Sequence, residues 1–273
     1  MPELLEVNTT KDYLLSYLPS DFELVYCSKH IRIFFKFSKT KEQLFENCTR
    51  IKSVSRHGKD LIFSFNIKEK LIVNFGMSGH WLVEDELSSH KHCHLSFKLN
   101  ENTFFNYIDT RRFGKMKWIK DLKKEPKFSL PDPFTDSEFN ENYLKTKLKN
   151  KNADLKIVLL DQNIFPGIGN YLASEILFHC KIHPQKKTSA LTDTQIKKLS
   201  RSTKSILKTL SKYGGLSIQN YKKPDGLKGS AQMRLKVYAR ENLKCMTKSC
   251  SSNIKRIVQR QRSTFYCKSC QKY

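Results

Sequence analysis

Long apolar runs are missing from this chain. No stretch approaches the roughly 20 consecutive apolar residues that a membrane-spanning helix needs, which argues against a helical membrane protein. The first residues are charged and lack the apolar segment of a secretory leader, so the protein is expected to be intracellular with reduced thiols. No internal repeat is present, which sets repeat architectures aside. Acidic residues are scarce: 26 Asp+Glu face 50 Lys+Arg, for a formal net charge of +24. Such an excess points to a polyanionic partner, most often nucleic acid, although the Lys- and Asn-rich composition of an AT-rich genome gives similar numbers. What the chain does have is core material. A hydrophobic content of 38% and an aromatic content of 11% argue against global disorder, and 273 residues suit two domains, or one and a half with an appendage.

The eight cysteines fall into two groups. Cys27, Cys48, Cys93 and Cys180 are isolated in apolar or mixed surroundings and read as small buried thiols. The other four form Cys245-x4-Cys250-x16-Cys267-x2-Cys270, a four-cysteine zinc pattern. Thiolates suit zinc, and four of them close the tetrahedron, so one structural Zn2+ is expected. Lys255, Arg256, Arg260 and Arg262 lie between the ligand pairs and make this hairpin basic.

The expected fold class is α+β. Residues 1–125 read as a β-sandwich, because short aromatic and β-branched runs recur at Ile31–Phe37, Leu61–Phe65, Leu71–Phe75, His94–Leu99 and Phe104–Ile108. A helix over Glu6–Leu18 would place Pro2 and Glu3 just before its N-terminus, where the dipole favours anions. Residues 126–137 hold three prolines and read as a linker. Helical spacing follows at Glu138–Lys149, Leu155–Leu160, Tyr171–His179 and Asp193–Tyr213, within a helical domain over 138–240, and a zinc finger over 241–273 completes the chain. Between the second and third helices, Asn163–Asn170 is a tight turn whose amides hold a phosphate or simply turn a corner. The polar, Gly-rich stretch from Gly214 to Val237 is expected to be a mobile loop or a solvated linker.

The N-terminus offers a catalyst. Removal of Met1 would leave Pro2 with a secondary α-amine, and α-amino groups titrate near neutrality. Such an amine beside the Glu3 carboxylate is a candidate nucleophile with a proton carrier next to it, although proline is also a common second residue.

Nine pieces in order resemble the Fpg/Nei family of DNA glycosylases, which contains formamidopyrimidine-DNA glycosylase and endonuclease VIII. They are Met-Pro-Glu-Leu at the start, Arg56-His-Gly-Lys59, Gly76-Met-Ser-Gly79, Lys91-His-Cys-His94, Asp109-Thr-Arg-Arg-Phe-Gly114, Gly167-Ile-Gly-Asn-Tyr-Leu-Ala-Ser-Glu175, Ile182-His-Pro184, Val237-Tyr238 and Gln261-Arg-Ser-Thr-Phe-Tyr-Cys267. The Met-Pro-Glu-Leu start is similar to the Fpg branch. The resemblance implies a β-sandwich with flanking helices, a helix–two-turn–helix domain and a zinc finger. It implies a monomer acting on double-stranded damaged DNA held between the halves. The implied activity is excision of an oxidised purine followed by strand cleavage, with the oxidised-pyrimidine activity of the endonuclease VIII branch and a non-catalytic damage binder as alternatives.

By the same resemblance Pro2 is the nucleophile, Glu3 the acid/base, and Lys59, His92, Asn170 and Arg262 contact DNA backbone. Met77, Arg111 and Phe113 fill the gap left by a flipped nucleotide, Arg111 facing the orphaned base. Lys222–Gln232 takes the place of a flap over that nucleotide. Leu5, Asn8, Asn74 and Thr110 depart from the family's usual Pro, Glu, phosphate-touching His and Pro. Glu6 is retained and can take over acid–base duty. The alternation of His90, His92 and His94 suits packing or surface groups better than metal ligation.

Overall fold

The computed structural model describes residues 2–30, 33–35, 45–217 and 221–273. Most of the expected strand Ile31–Phe37 lies outside them, leaving β3 (Ile33–Phe35). The chain divides into two compact units, one of Met1–Phe128 with Tyr213–Gln232 and one of Ser129–Lys212 with Met233–Tyr273. Residues 213–232 thus pack with the first unit, whereas the sequence groups them with the helical segments.

The first unit opens with α1 (Leu4–Leu15), which starts two residues earlier than its sequence pattern suggests because Glu3 serves as its N-cap in a capping box with Glu6. Two sheets follow. One has the strand order β1-β4-β5-β6-β10-β3 and is built from β1 (Ser20–Asp21), β4 (Arg50–His57), β5 (Asp60–Phe65), β6 (Lys70–Asn74), β10 (Lys115–Ile119) and β3. Only the β10–β3 pairing is parallel. The other, antiparallel, sheet has the order β2-β8-β9-β7, from β2 (Glu23–Cys27), β8 (Cys93–Asn100), β9 (Thr103–Ile108) and β7 (His80–Glu84).

Aromatic residues join the two sheets. Phe63 of the first lies 5.9 Å from Phe97 and 5.2 Å from Trp81 of the second, and all three rings are fully buried. Trp118 packs 5.2 Å from Phe65 and 5.1 Å from Phe45, extending the cluster. Burial of rings this size supplies the main stabilisation of the sandwich.

The second unit contains α2 (Glu141–Leu148), α3 (Leu155–Leu159), α4 (Asn170–Cys180) and α5 (Asp193–Ser211). Asn140 caps α2 by accepting from the N–H groups of Asn142 and Tyr143, and Thr192 with Gln195 caps α5. Gln162 closes the turn between α3 and α4: its Oε1 accepts from Gly167 N–H at 3.0 Å and its Nε2 donates to Ile168 O at 2.8 Å. The hairpin of β11 (Ile254–Gln259) and β12 (Arg262–Cys267) is tied to this helical body. Gln271, almost fully buried, accepts from Cys267 N–H and donates to Ile182 O. Among the described residues no helix is long and apolar enough to cross a membrane.

Phe97→Ala removes a ring at the centre of the sandwich, and about 3–5 kcal/mol of stability should go with it. Urea denaturation followed by tryptophan fluorescence reads this directly, since both tryptophans, Trp81 and Trp118, lie in that core. A loss below about 1 kcal/mol would contradict the packing described.

Candidate active site and metal centre

Pro2 and Glu3 are both buried at the head of α1. The neighbouring Glu6 is 1% exposed, and its two oxygens are committed: Oε2 accepts from Glu3 N–H at 2.7 Å and Oε1 from Leu216 N–H at 2.6 Å. Glu6 is therefore an anchor rather than a free acid or base, which corrects the expectation that it takes over acid–base duty. Gly215 has φ +77, and a Cβ there would stand 2.9 Å from Glu6 Oε1, so only glycine lets the returning segment approach. The Tyr221 hydroxyl donates to Glu6 O at 2.9 Å, and burial pushes that phenol far up, to a value that keeps it protonated. Val83 N–H donates to Pro224 O, and Ser217 and Gln232 bond across the same segment. Outside 218–220, which lie beyond the described residues, the expected mobile loop is thus well hydrogen-bonded.

Lys59 stands in the two-residue turn between β4 and β5, after Gly58 at φ +57. Arg56 ties that turn by donating from Nη1 to Gly58 O at 2.9 Å. Met77 and Phe113 are 40% and 46% exposed, unusual for large apolar side chains, and belong to two loops that touch. Gly76 makes the contact possible: at φ +59, a Cβ would fall 2.4 Å from the Phe113 carbonyl carbon. The Arg111 guanidinium lies 5.0 Å above the Phe113 ring, within cation–π range.

Beneath these loops the buried Asp109 carboxylate accepts from Ser78 Oγ, from Arg111 N–H and from Gly114 N–H at 2.7 Å. Asp109 N–H in turn donates to His92 O. Met77, His92, Arg111 and Phe113 therefore hang on one buried acid, a role no sequence pattern assigned to Asp109. His80 and His94 complete the support, each with a ring nitrogen 3.0 Å from a loop carbonyl, Ser78 O and Asp109 O respectively. The His94 ring thus serves packing.

In the second unit Asn170 is the first residue of α4. Its Oδ1 accepts from the buried Lys156 Nζ at 2.6 Å, and its Nδ2 donates to Ser263 O at 2.9 Å, next to the exposed Arg262. Asn170 and Arg262 are thus brought together. Arg260 and Gln261, with φ +45 and +60, form the two-residue tip that presents Arg262. Glu175, buried in the same helix, accepts from the N–H groups of Lys236, Val237 and Tyr238, each at 2.9 Å.

The sulfurs of Cys245, Cys250, Cys267 and Cys270 all lie within 4.8 Å of one another. Cys245 and Cys270 are 3.8 Å apart, and Cys250 and Cys267 are 3.6 Å apart. Four sulfurs about 2.3 Å from a shared tetrahedral ion would be separated by about 3.8 Å, so this cluster can hold a metal ion. The wide first spacing is absorbed by a turn in which Cys250 N–H donates to Thr247 O and Cys245 N–H to Ser252 O.

Residues 1–116 match the formamidopyrimidine-DNA glycosylase N-terminal domain, and residues 130–222 match its H2TH domain. A curated formamidopyrimidine-DNA glycosylase of Rickettsia bellii is 38% identical over 276 residues, covering 100% of both chains. The chain belongs to the formamidopyrimidine-DNA glycosylase family. Among solved members of this DNA glycosylase family, the Thermus thermophilus MutM (Fpg) protein superposes with a TM-score of 0.84 at 30% identity, covering 99% of this chain and 98% of the other. A Lactococcus lactis Fpg mutant in complex with Fapy-dG-containing DNA gives 0.85 at 31%, covering 100% of each. The family accounts for the sandwich, the helical body and the four-cysteine hairpin as one architecture.

Burial holds the His80 and His94 imidazoles below the ordinary histidine range. Depressed folded values mean that the unfolded chain binds more protons, so this stability is present above about pH 6.5 and is lost as pH falls towards the folded values. Urea midpoints read by tryptophan fluorescence should drop between pH 7.5 and 5.5, and less steeply in His80→Gln/His94→Gln. An equal slope in the variant would contradict the assignment.

Proposed function

We propose that this protein is a bifunctional DNA glycosylase and abasic-site lyase that excises oxidised purines such as 8-oxoguanine and formamidopyrimidines from double-stranded DNA. The observation that carries the reading is the head of α1, where Pro2 and Glu3 sit buried and fixed by Glu6 in a chain with full-length likeness to an Fpg bound to Fapy-dG-containing DNA. Once Met1 is removed, the Pro2 nitrogen attacks C1′ of the damaged nucleotide and the glycosidic bond breaks, its electron pair leaving with the base. Glu3 moves the protons that open the sugar ring and give the Schiff base. Loss of a C2′ proton then expels the 3′ phosphate, and a second elimination expels the 5′ phosphate.

Lys59, His92, Asn170 and Arg262 hold the backbone on either side of the lesion, and a net charge of +24 draws the polyanion in. Met77, Arg111 and Phe113 occupy the space the extruded nucleotide leaves, offsetting a few kcal/mol of unstacking. The two exposed apolar side chains and the guanidinium above Phe113 suit that task. The cysteine cluster holds one structural Zn2+, which fixes the basic hairpin and takes no part in the chemistry. The protein works as a monomer inside the cell, in a DNA-containing compartment.

Borohydride trapping tests this reading. A duplex carrying 8-oxoguanine opposite C should give a covalent complex with the wild type and little or none with Pro2→Gly. Trapping confined to an oxidised-pyrimidine duplex would move the protein to the endonuclease VIII branch. Binding without trapping on either duplex would make it a damage binder. Elemental analysis should find one zinc per chain, and Cys267→Ser should lose it; a chain purified without zinc yet fully folded would contradict the metal assignment.

A further inference from the structure

Asp60 and Asn74 face each other across the β5–β6 ladder. Asn74 Nδ2 donates to Asp60 Oδ1 at 2.8 Å, and Asn74 Oδ1 accepts from Gly76 N–H at 3.1 Å. The second oxygen of Asp60 accepts from Lys127 Nζ at 2.6 Å. Asp60 is 8% exposed and directly follows Lys59. Asp60, Asn74 and Gly76 therefore link the Lys59 turn to the loop that carries Met77.

We propose that Asn74 is a positioning residue for Met77, through Gly76, and makes no DNA contact of its own. The Asn74 amide is engaged at both ends, its NH2 donating to Asp60 and its oxygen accepting from Gly76. Its accepting end fixes the N–H of Gly76, where an added Cβ would fall 2.4 Å from the Phe113 carbonyl carbon. A change at Asn74 therefore reaches Met77 and Phe113 together. Lys127 supplies the other half of the device. The Lys127 ammonium pairs with the other Asp60 oxygen and balances its charge. Asp60 thus serves as a fixed, charge-balanced post on which the Asn74 amide is set. The site usually given to a phosphate-touching histidine in this family has become an internal brace.

The inference rests on the proposed role of Met77 in filling the stack, and the test separates the two. A duplex with 2-aminopurine opposite a tetrahydrofuran abasic analogue reports insertion by fluorescence in stopped flow. Asn74→Leu removes both hydrogen bonds and should slow the insertion phase about tenfold or more, as expected when the Gly76 N–H loses its acceptor, with affinity for undamaged duplex within about twofold of wild type. Asn74→Asp should also slow it, by setting two carboxylates face to face. The exchange Asp60→Asn/Asn74→Asp, which restores an acid–amide pair, should recover the rate. Wild-type insertion in Asn74→Leu beside a defective Met77→Ala would overturn the inference alone. A normal trace in Met77→Ala would overturn the stack-filling reading and the inference with it. Parallel loss of undamaged-duplex affinity in Asn74→Leu would mark Asn74 as a direct DNA contact and overturn it too.

Discussion

The Glu6 carboxylate accepts one N–H from Glu3 and another from Leu216, and it does so with almost no access to water. A buried charge is tolerated only when it is satisfied, so both partners are held to the positions the carboxylate allows. One partner is the residue after Pro2. The other belongs to a segment more than 200 residues along the chain. The helix dipole adds to the arrangement, because Glu6 lies in the first turn of α1. A chain terminus is ordinarily the least ordered part of a protein. Here a charge-assisted pair of hydrogen bonds holds Glu3, next to Pro2, which suits the role proposed for Pro2.

The same device recurs. Asp109 gathers a hydroxyl and two N–H groups beneath the loops of Met77 and Phe113, and Glu175 gathers three successive N–H groups at Lys236–Tyr238. Asp60 is clamped between an amide and an ammonium. In a chain with so few acids, these have been drawn inward as loop organisers. The positive balance that favours a polyanion comes from the excess of lysine and arginine over acids in the chain as a whole.

The strands and helices with clear period were legible in the sequence, because burial of alternate or helically spaced apolar residues decides them. β5, β6, β8 and β9 fall within a residue or so of their patterns, as do α3 and α4. β4 was not legible, since Arg50–His57 alternates too many charged residues with its buried ones, and β7 and β10 mix tryptophan with polar neighbours. The cysteine cluster was legible from spacing alone, because ligand geometry constrains sequence directly. Pro2 and Glu3 were legible as a candidate amine–carboxylate pair, but likeness to a family was needed to set them apart from an ordinary chain start. Asp109, Asp60 and the anchoring role of Glu6 were not legible at all. Glu6 meets a backbone amide 210 residues away, Asp60 two side chains 14 and 67 residues away, and Asp109 a hydroxyl 31 residues away beside two nearby amides, and no local periodicity marks such pairings.

The most direct test of the anchoring account is the rate of borohydride-trapped complex formation by Glu6→Gln on an abasic-site duplex. Glutamine keeps the size but offers an NH2 where a carboxylate oxygen accepted an N–H, leaving one buried donor facing another. The account predicts trapping slowed about a hundredfold, the equivalent of a lost charge-assisted hydrogen bond, with zinc content and DNA affinity retained. Trapping at the wild-type rate would contradict it, and would mean that the N-terminus finds its working position without the buried carboxylate.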